Sequence, residues 1–330
     1  MAAQPPTVNV ADPGTAEETK FQSSHDGLEF RTRKWLPSTI ASKPPRAAVV
    51  FVHGFIEHVG RYNHVFPSFA QANIYVVAFD QRGFGETWSK HKEAKKQHGN
   101  TTWKQQFEDL ADLIKLQRKE LDDKFGKDVV PIFLMGHSMG GGISFAFMTR
   151  DGTADGGPAQ ETKDMIKGVI MSSPWITLTH PPPGFLVPLL RGVLKIYPNM
   201  PWFAEVAPRE LSKDPEVVKW TQEDPLCDGH VYLKAILGPI TGGPTFLTEG
   251  YKRWPKDVPI LVSHGDADPV TNPKASKELE SKLDATDKEY KSWPGYLHEG
   301  WHEQGNEKVE YINYLVQWIV ARTSEKPQES

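Results

Sequence analysis

Gly136-His137-Ser138-Met139-Gly140 sets a serine between two glycines, directly after the apolar run Ile132-Phe133-Leu134-Met135 and directly before a stretch of helical character, Gly141 to Arg150. A serine on a tight strand-to-helix turn needs small neighbours to avoid steric overlap. The turn lifts the hydroxyl above the sheet, and the helix N-terminus beneath it favours developing negative charge. Those are the requirements of a nucleophile for acyl transfer; the plain alternative is a glycine-rich β–α turn with a capping serine. A hydroxyl is a weak nucleophile without a base, and the base needs an orienting acid. Downstream, Pro259–Ser263 runs into His264-Gly265-Asp266-Ala267-Asp268-Pro269, which puts acids at the carboxyl end of a strand, where sites on parallel sheets form. Lys288 to Trp293 leads through Pro294-Gly295 to Tyr296-Leu297-His298, a loop histidine able to reach back over the sheet. The order serine, acid, histidine is the one that strand–turn–helix nucleophiles use. Spacing leaves Asp266 and Asp268 open as the acid.

An acyl-transfer site also needs two backbone donors for the oxyanion. The Met139 N–H, next after the serine, is one; the Phe55 N–H, in the loop His53-Gly54-Phe55 after Ala47–Val52, is the other. Losing one such donor typically costs roughly 3–4 kcal/mol of transition-state stabilisation. A competing pattern overlaps the base: His298-Glu299-Gly300-Trp301-His302 fits H-E-x-x-H, and Gly305 follows at the metzincin spacing, but Lys308 stands where a third histidine belongs. A zinc site of that kind needs both histidines on one helical face. Pro294 and Gly295 precede the pattern and Gly300 interrupts it, so no metal and no cofactor are expected. His53 and His264 read as strand-end residues that hold backbone geometry, His137 as packing, Asp80 as a turn-capping acid and Cys227 as an inert small apolar residue.

The elements that must position these groups are legible as continuous apolar runs, as suits strands buried on both faces of a parallel sheet. The runs are Ala47–Val52, Ile74–Phe79, Ile132–Met135, Ile166–Met171 and Pro259–Ser263, with Leu28–Trp35 as an edge strand. Helical patterns cover Thr102 to Phe125, 273–283 and 307–322. Alternating strands and helices predict an α/β fold with a mostly parallel sheet. The alternation fails between about 174 and 255, a proline- and aromatic-rich segment with Pro181-Pro182-Pro183, Pro201, Trp202 and Trp220. The chain has 330 residues, more than a single core usually holds, and this segment reads as an insertion. The expected division is a flexible tail over 1–24, a first core part over 25–173, a cap insertion over 174–255, a second core part over 256–322 and a C-terminal tail over 323–330.

Composition excludes several classes. Apolar residues are 38% and charged residues 24%, a globular balance, and the net charge of −4 makes a poor nucleic-acid binder. The lone Cys227 rules out an intrachain disulfide or a cysteine-based zinc site and fits a reducing compartment. No run is long and apolar enough for a membrane span, and Met1 to Lys20 lacks the apolar stretch of a signal peptide.

Taken together, His53-Gly54-Phe55-Ile56-Glu57-His58 with Arg61-Tyr62, Asp80-Gln81-Arg82-Gly83-Phe84-Gly85, Gly136-His137-Ser138-Met139-Gly140-Gly141, Ser172-Ser173-Pro174, His264-Gly265-Asp266-Ala267-Asp268 and Tyr296-Leu297-His298 resemble the monoacylglycerol lipase family of serine α/β-hydrolases, most like its fungal members. The resemblance spans about residues 25–322. It implies an α/β-hydrolase fold with an inserted cap, Ser138 as nucleophile, Asp268 as acid, His298 as base, and oxyanion donors at Phe55 and Met139. It further implies Glu57 and Arg61 at the glycerol end of the substrate, and a histidine there for which His302 stands one residue later than the family spacing. Phe55 is bulky where animal members carry a small residue. The segment with Phe185, Leu186, Leu189, Leu190, Val193, Leu194 and Ile196 then becomes a cap helix, with Phe185 and Leu189 against the acyl chain. Such a helix is suited to rest on a lipid surface; the alternative is a helix packed on the main domain. The implied partners are a monoacylglycerol and, peripherally, a membrane or lipid droplet in the cytoplasm. A broad carboxylesterase or lysophospholipase is the rival within the class, and a catalytically silent binding protein the rival outside it.

Overall fold

The computed structural model describes residues 16–152 and 156–323. Its centre is an eight-stranded sheet. The strands are β1 (Glu17–Gln22), β2 (Glu29–Trp35), β3 (Ala47–Val52), β4 (Ile74–Phe79), β5 (Ile132–His137), β6 (Ile166–Ser172), β9 (Ile260–Gly265) and β10 (Lys288–Trp293); β7 (Pro201–Phe203) and β8 (His230–Tyr232) form a separate ribbon. Across the sheet the order is β1-β2-β4-β3-β5-β6-β9-β10. The six strands from β4 to β10 run parallel, and β2 and β1 are added antiparallel. Helices of eight residues or more are α1 (Trp103–Phe125), α2 (Met139–Thr149), α3 (Leu186–Ile196), α4 (Pro215–Glu223), α5 (Leu233–Gly242), α6 (Pro273–Lys282) and α7 (Glu307–Thr323).

Strand β3 shows why its run is apolar throughout. Ala48, Val50 and Val52 enter the core layer shared with Phe107, Leu110 and Ile143, while Ala47, Val49 and Phe51 enter the layer on the opposite face, with Phe66, Leu315 and Trp318. Both faces are covered by helices, so no position can be polar. The α/β class predicted from the alternation is the fold found. Parallel strands end on one edge of the sheet, and the loops leaving β3, β5, β9 and β10 there carry Phe55, Ser138, Asp268 and His298.

The sequence reading missed β1. Residues 17–22 belong to the sheet rather than to the end of a tail, and residues 1–15 lie outside the described part, as do 324–330 of the expected C-terminal tail. Only Phe21 of β1 is buried, so a polar hexamer carries no apolar pattern. It is held by pairing with β2 in the register Phe21↔Phe30, with those rings stacked at 4.7 Å.

Between β6 and β9 the chain leaves the sheet to build the inserted cap: α3, the β7–β8 ribbon, α4 and α5. Residues 243–254 return to the core, where Phe246 and Trp254 lie 4.8 and 5.2 Å from the Phe145 ring of α2. Helix α3 buries Leu190, while Phe185 at its N-cap and Leu189 and Ile196 along it face outward, 76%, 59% and 89% exposed. Among the described residues, no helix is long and apolar enough to cross a membrane.

Candidate active site

Ser138 sits between β5 and α2 with φ 51° and ψ −116°, a left-handed conformation that non-glycine side chains rarely adopt. Such strain costs about 1–3 kcal/mol and persists only where the surroundings over-determine it. Here they do. The Ser138 N–H donates to the Ser172 carbonyl at 2.9 Å, and the Ser138 carbonyl accepts from the N–H groups of Gly142 (3.1 Å) and Trp175 (2.8 Å). The two flanking glycines are required by close approach. A Cβ on Gly136 would lie 2.2 Å from the Gly140 carbonyl oxygen, and one on Gly140 would lie 2.0 Å from the Val52 carbonyl oxygen.

His298, on the loop after β10, places Nδ1 2.7 Å from Oδ2 of Asp268. Its Nδ1–H donates to the carboxylate, which leaves Nε2 as the acceptor that a general base needs. Spacing leaves two acids open; their surroundings differ. Asp268 is buried against His298, whereas Asp266 is exposed and accepts the Gly295 N–H at 2.6 Å, steadying the loop that carries the histidine. Burial alone would raise the Asp268 carboxyl, but the His298 charge and hydrogen bonds from His264 and His298 hold it well below the carboxylate range. Burial alone would lower His298, but Asp268, with Glu299 and Glu57 behind it, brings the imidazole above its ordinary value. Met139 opens α2, where first-turn N–H groups have no intrahelical acceptor. Phe55 packs its ring between Phe84 and Trp175.

Ser138, His298 and Phe55 line one cavity of about 680 Å³. Trp175, Leu178, Trp202, Ile236, Ile240 and Val270 supply apolar wall; Glu57, Arg61, Thr221, Gln222 and Glu299 supply polar wall. Sequence reading missed the apolar wall because it is assembled from separate segments, the loop residues Trp175, Leu178 and Val270, Trp202 of β7 and Ile236 and Ile240 of α5, which no single periodic pattern joins. The cap residues it chose instead, Phe185 and Leu189, face outward and do not line the cavity. Amphipathic spacing identifies an apolar stripe without saying which side of it is sealed.

Glu57 and Arg61 both line the cavity, but Arg61 is spent on the protein. Its Nη2 donates to both Glu299 oxygens (2.7 and 3.0 Å), its Nη1 donates to Thr221 (2.8 Å), its Nε lies 3.5 Å from Glu57 and its guanidinium covers Trp220. Two carboxylates thus surround one buried cation. Burial and the neighbouring Glu299 charge push Glu57 up to about 7. Glu299 is itself disfavoured by burial, but the Arg61 charge holds it low. Glu57 Oε1 accepts from the Tyr62 hydroxyl at 2.8 Å and from the Gly54 N–H, while Oε2 accepts no hydrogen bond among the described residues.

His302 is corrected. It is wholly buried behind the cavity and does not line it; Nδ1 is 2.6 Å from Glu299 and Nε2 3.1 Å from the Arg61 carbonyl. The H-E-x-x-H letters span a loop and the short turn Gly300–His302 rather than a helix, and both His302 nitrogens are already engaged. Among the described residues His58, Asp224 and Cys227 bring ligating atoms within 4.8 Å. However, His58 Nδ1 accepts the Gly60 N–H, so Nε2 carries the proton that goes to Asp224 and cannot ligate. Burial pushes the Cys227 thiol up to about 12.

His53 holds backbone as expected, through the Gly54 carbonyl and the Gln81 N–H, and Asp80 caps a turn by accepting from Val59 and Glu86. His264 does more than that reading gave it: its Nε2 is 3.3 Å from the Thr271 carbonyl but closer, at 2.9 Å, to the Asp268 carboxylate.

A parallel sheet with an inserted cap and a strained serine turn at the strand ends is the architecture of the serine α/β-hydrolases. A family model described as serine aminopeptidase, S33 (Hydrolase_4) matches residues 43–305. A putative monoglyceride lipase of Schizosaccharomyces pombe is 32% identical over 306 residues, covering 92% of this chain and 73% of that one. A soluble variant of monoglyceride lipase from Saccharomyces cerevisiae, solved with a substrate analogue, superposes with TM-score 0.80 at 24% identity over 99% of this chain and 100% of its own. The monoacylglycerol lipase of Paleococcus ferrophilus superposes with TM-score 0.72 at 28% identity, over 90% and 100%. The chain belongs to the Hydrolase_4 family and, within the α/β-hydrolases, to the group of the monoacylglycerol lipases.

Proposed function

We propose that this protein hydrolyses monoacylglycerols to glycerol and a fatty acid. Ser138 attacks the ester carbonyl while His298 Nε2 takes its proton. Asp268 fixes the imidazole tautomer and stabilises the imidazolium, and the Phe55 and Met139 N–H groups hold the oxyanion. Glycerol departs with the proton from His298, leaving the acyl group on Ser138; water, deprotonated by His298, then releases the fatty acid. The observation that carries this reading is one cavity with an extensive apolar wall, a polar wall that includes Glu57, and Ser138 and His298 in it. An acyl chain matches the first, and glycerol hydroxyls match Glu57.

The charge at the polar wall selects among head groups. With Arg61 engaged and two carboxylates present, an anionic head group meets no free cation. Monoacylglycerol is therefore turned over at least about tenfold faster than lysophosphatidate of the same acyl chain, since like charges in a buried site cost more than a kcal/mol. A panel that adds lysophosphatidylcholine and p-nitrophenyl butyrate checks this. Equal rates across it would replace the reading with a broad esterase, and preference for lysophospholipids would make it a lysophospholipase.

In this reading the insertion 174–255 supplies the cap, its last residues, 243–254, returning to the core, and the outward face of α3 touches a membrane or lipid droplet from the cytoplasm. Support comes from Phe185, Leu189 and Ile196 standing exposed on one helix, with Arg191 and Lys195 among them. Replacing all three by serine lowers partition onto phosphatidylcholine vesicles by about tenfold or more and leaves p-nitrophenyl butyrate turnover unchanged. Unchanged partition in a flotation assay would remove the surface-contact role.

A further inference from the structure

Asp268 does not serve His298 alone. Its Oδ2 is 2.7 Å from His298 Nδ1, 2.9 Å from His264 Nε2 and 2.9 Å from the Thr271 hydroxyl. Its Oδ1 accepts the N–H groups of Val270 (2.7 Å) and Thr271 (3.1 Å). His264 lies in β9 and is wholly buried; its Nδ1 is 2.7 Å from the Ser276 hydroxyl on α6. A strand and a helix therefore fix this ring from two sides. With the Ser276 hydroxyl donating to Nδ1, the proton of a neutral His264 sits on Nε2 and points at Asp268. Two imidazoles thus share one carboxylate oxygen. Acyl transfer needs only one of them, and His264 Nε2, though 3.3 Å from the Thr271 carbonyl, lies closer to the carboxylate, whereas His53 meets main-chain groups and no carboxylate.

We propose that His264 is a positioning residue for the hydrolysis: by donating to Asp268 it pins the carboxylate toward His298 and withdraws part of its charge, so that His298 stays available as a neutral base. The inference rests on His298 being the base, as proposed above. The charged and titratable groups facing His298 are Asp268, Glu299 and Glu57, with His137 packed on its ring at 4.8 Å; those facing Asp268 are His298 and His264, with His137 and Tyr311 farther off. All three carboxylates favour the imidazolium, which already stands above its ordinary value. Withdrawing the His264 donor leaves the Asp268 charge to His298 alone, favours the imidazolium further and leaves less base neutral at pH 7.

The experiment is the pH profile of kcat/KM on p-nitrophenyl butyrate for wild type, His264→Leu, His264→Gln and Ser276→Ala, with thermal melts to establish folding. In His264→Leu the acid limb moves to higher pH by about half a unit and kcat/KM at pH 7 falls by up to about threefold with it. His264→Gln, which retains an N–H, stays near wild type. Ser276→Ala, which keeps the ring but frees its tautomer, moves the limb part way, and it decides the matter alone if His264→Leu does not fold. A limb unmoved in both His264→Leu and Ser276→Ala, or moved equally by His264→Gln and His264→Leu, overturns the inference. Absence of any acid limb in the wild type instead overturns the assignment of His298.

Discussion

Ser138→Ala loses hydrolysis of monoacylglycerol and of p-nitrophenyl butyrate by about five orders of magnitude or more, as removal of a catalytic serine does, while its melting temperature stays within a few degrees of wild type. The two halves of the expectation have separate causes. The attacking oxygen leaves, and nothing else in the cavity replaces it: the Cys227 thiol is held protonated by burial beside the Arg61 cluster. The turn survives because main-chain bonds from Ser172, Gly142 and Trp175 hold it, and an alanine Cβ at φ 51° meets the same strain as a serine Cβ. Turnover retained in a folded, homogeneous Ser138→Ala preparation would require another nucleophile.

Asp268→Asn has the next largest effect, a fall in kcat of about 10⁴. An asparagine can present an amide N–H where Oδ2 now accepts from His298, His264 and Thr271, which turns the His298 tautomer away from the one that leaves Nε2 free. Buried donors left without an acceptor cost about 1–3 kcal/mol each, so this variant also melts lower, unlike Ser138→Ala. The companion Asp266→Asn separates the two acids. Its only hydrogen bond at issue is the exposed one from the Gly295 N–H, which an amide oxygen still accepts, so kcat/KM stays within about twofold of wild type. Kinetics and melts on both variants check the pair; a large loss in Asp266→Asn with Asp268→Asn nearly active would exchange their roles.

These cases show what letters carry and what they do not. Strands such as Ala47–Val52 are legible because burial on both faces forces every position apolar, and the serine turn is legible because two main-chain approaches under 2.5 Å demand glycine at 136 and 140. Asp266 and Asp268 are two residues apart on one loop, and only the direction each side chain takes separates them. Strand β1 was invisible because one phenylalanine and a ladder of backbone bonds hold it. Glu299 was set aside with the H-E-x-x-H letters, yet it anchors Arg61 and His302 at once. His264 had a signal in its fixed offset of four residues from Asp268, but the offset alone does not distinguish a carboxylate partner from a carbonyl. The apolar wall draws Trp175, Leu178 and Trp202 together with Ile236 and Ile240 of α5, and tertiary arrangement alone joins these separate segments.

The most direct measurement is intact-mass and peptide mapping after treatment with a long-chain fluorophosphonate, run on wild type, Ser138→Ala and His298→Ala. One adduct per chain on Ser138 in the wild type, none in Ser138→Ala and labelling slowed by orders of magnitude in His298→Ala is the expected outcome. An adduct on any other residue, or labelling as rapid without His298 as with it, would contradict the account.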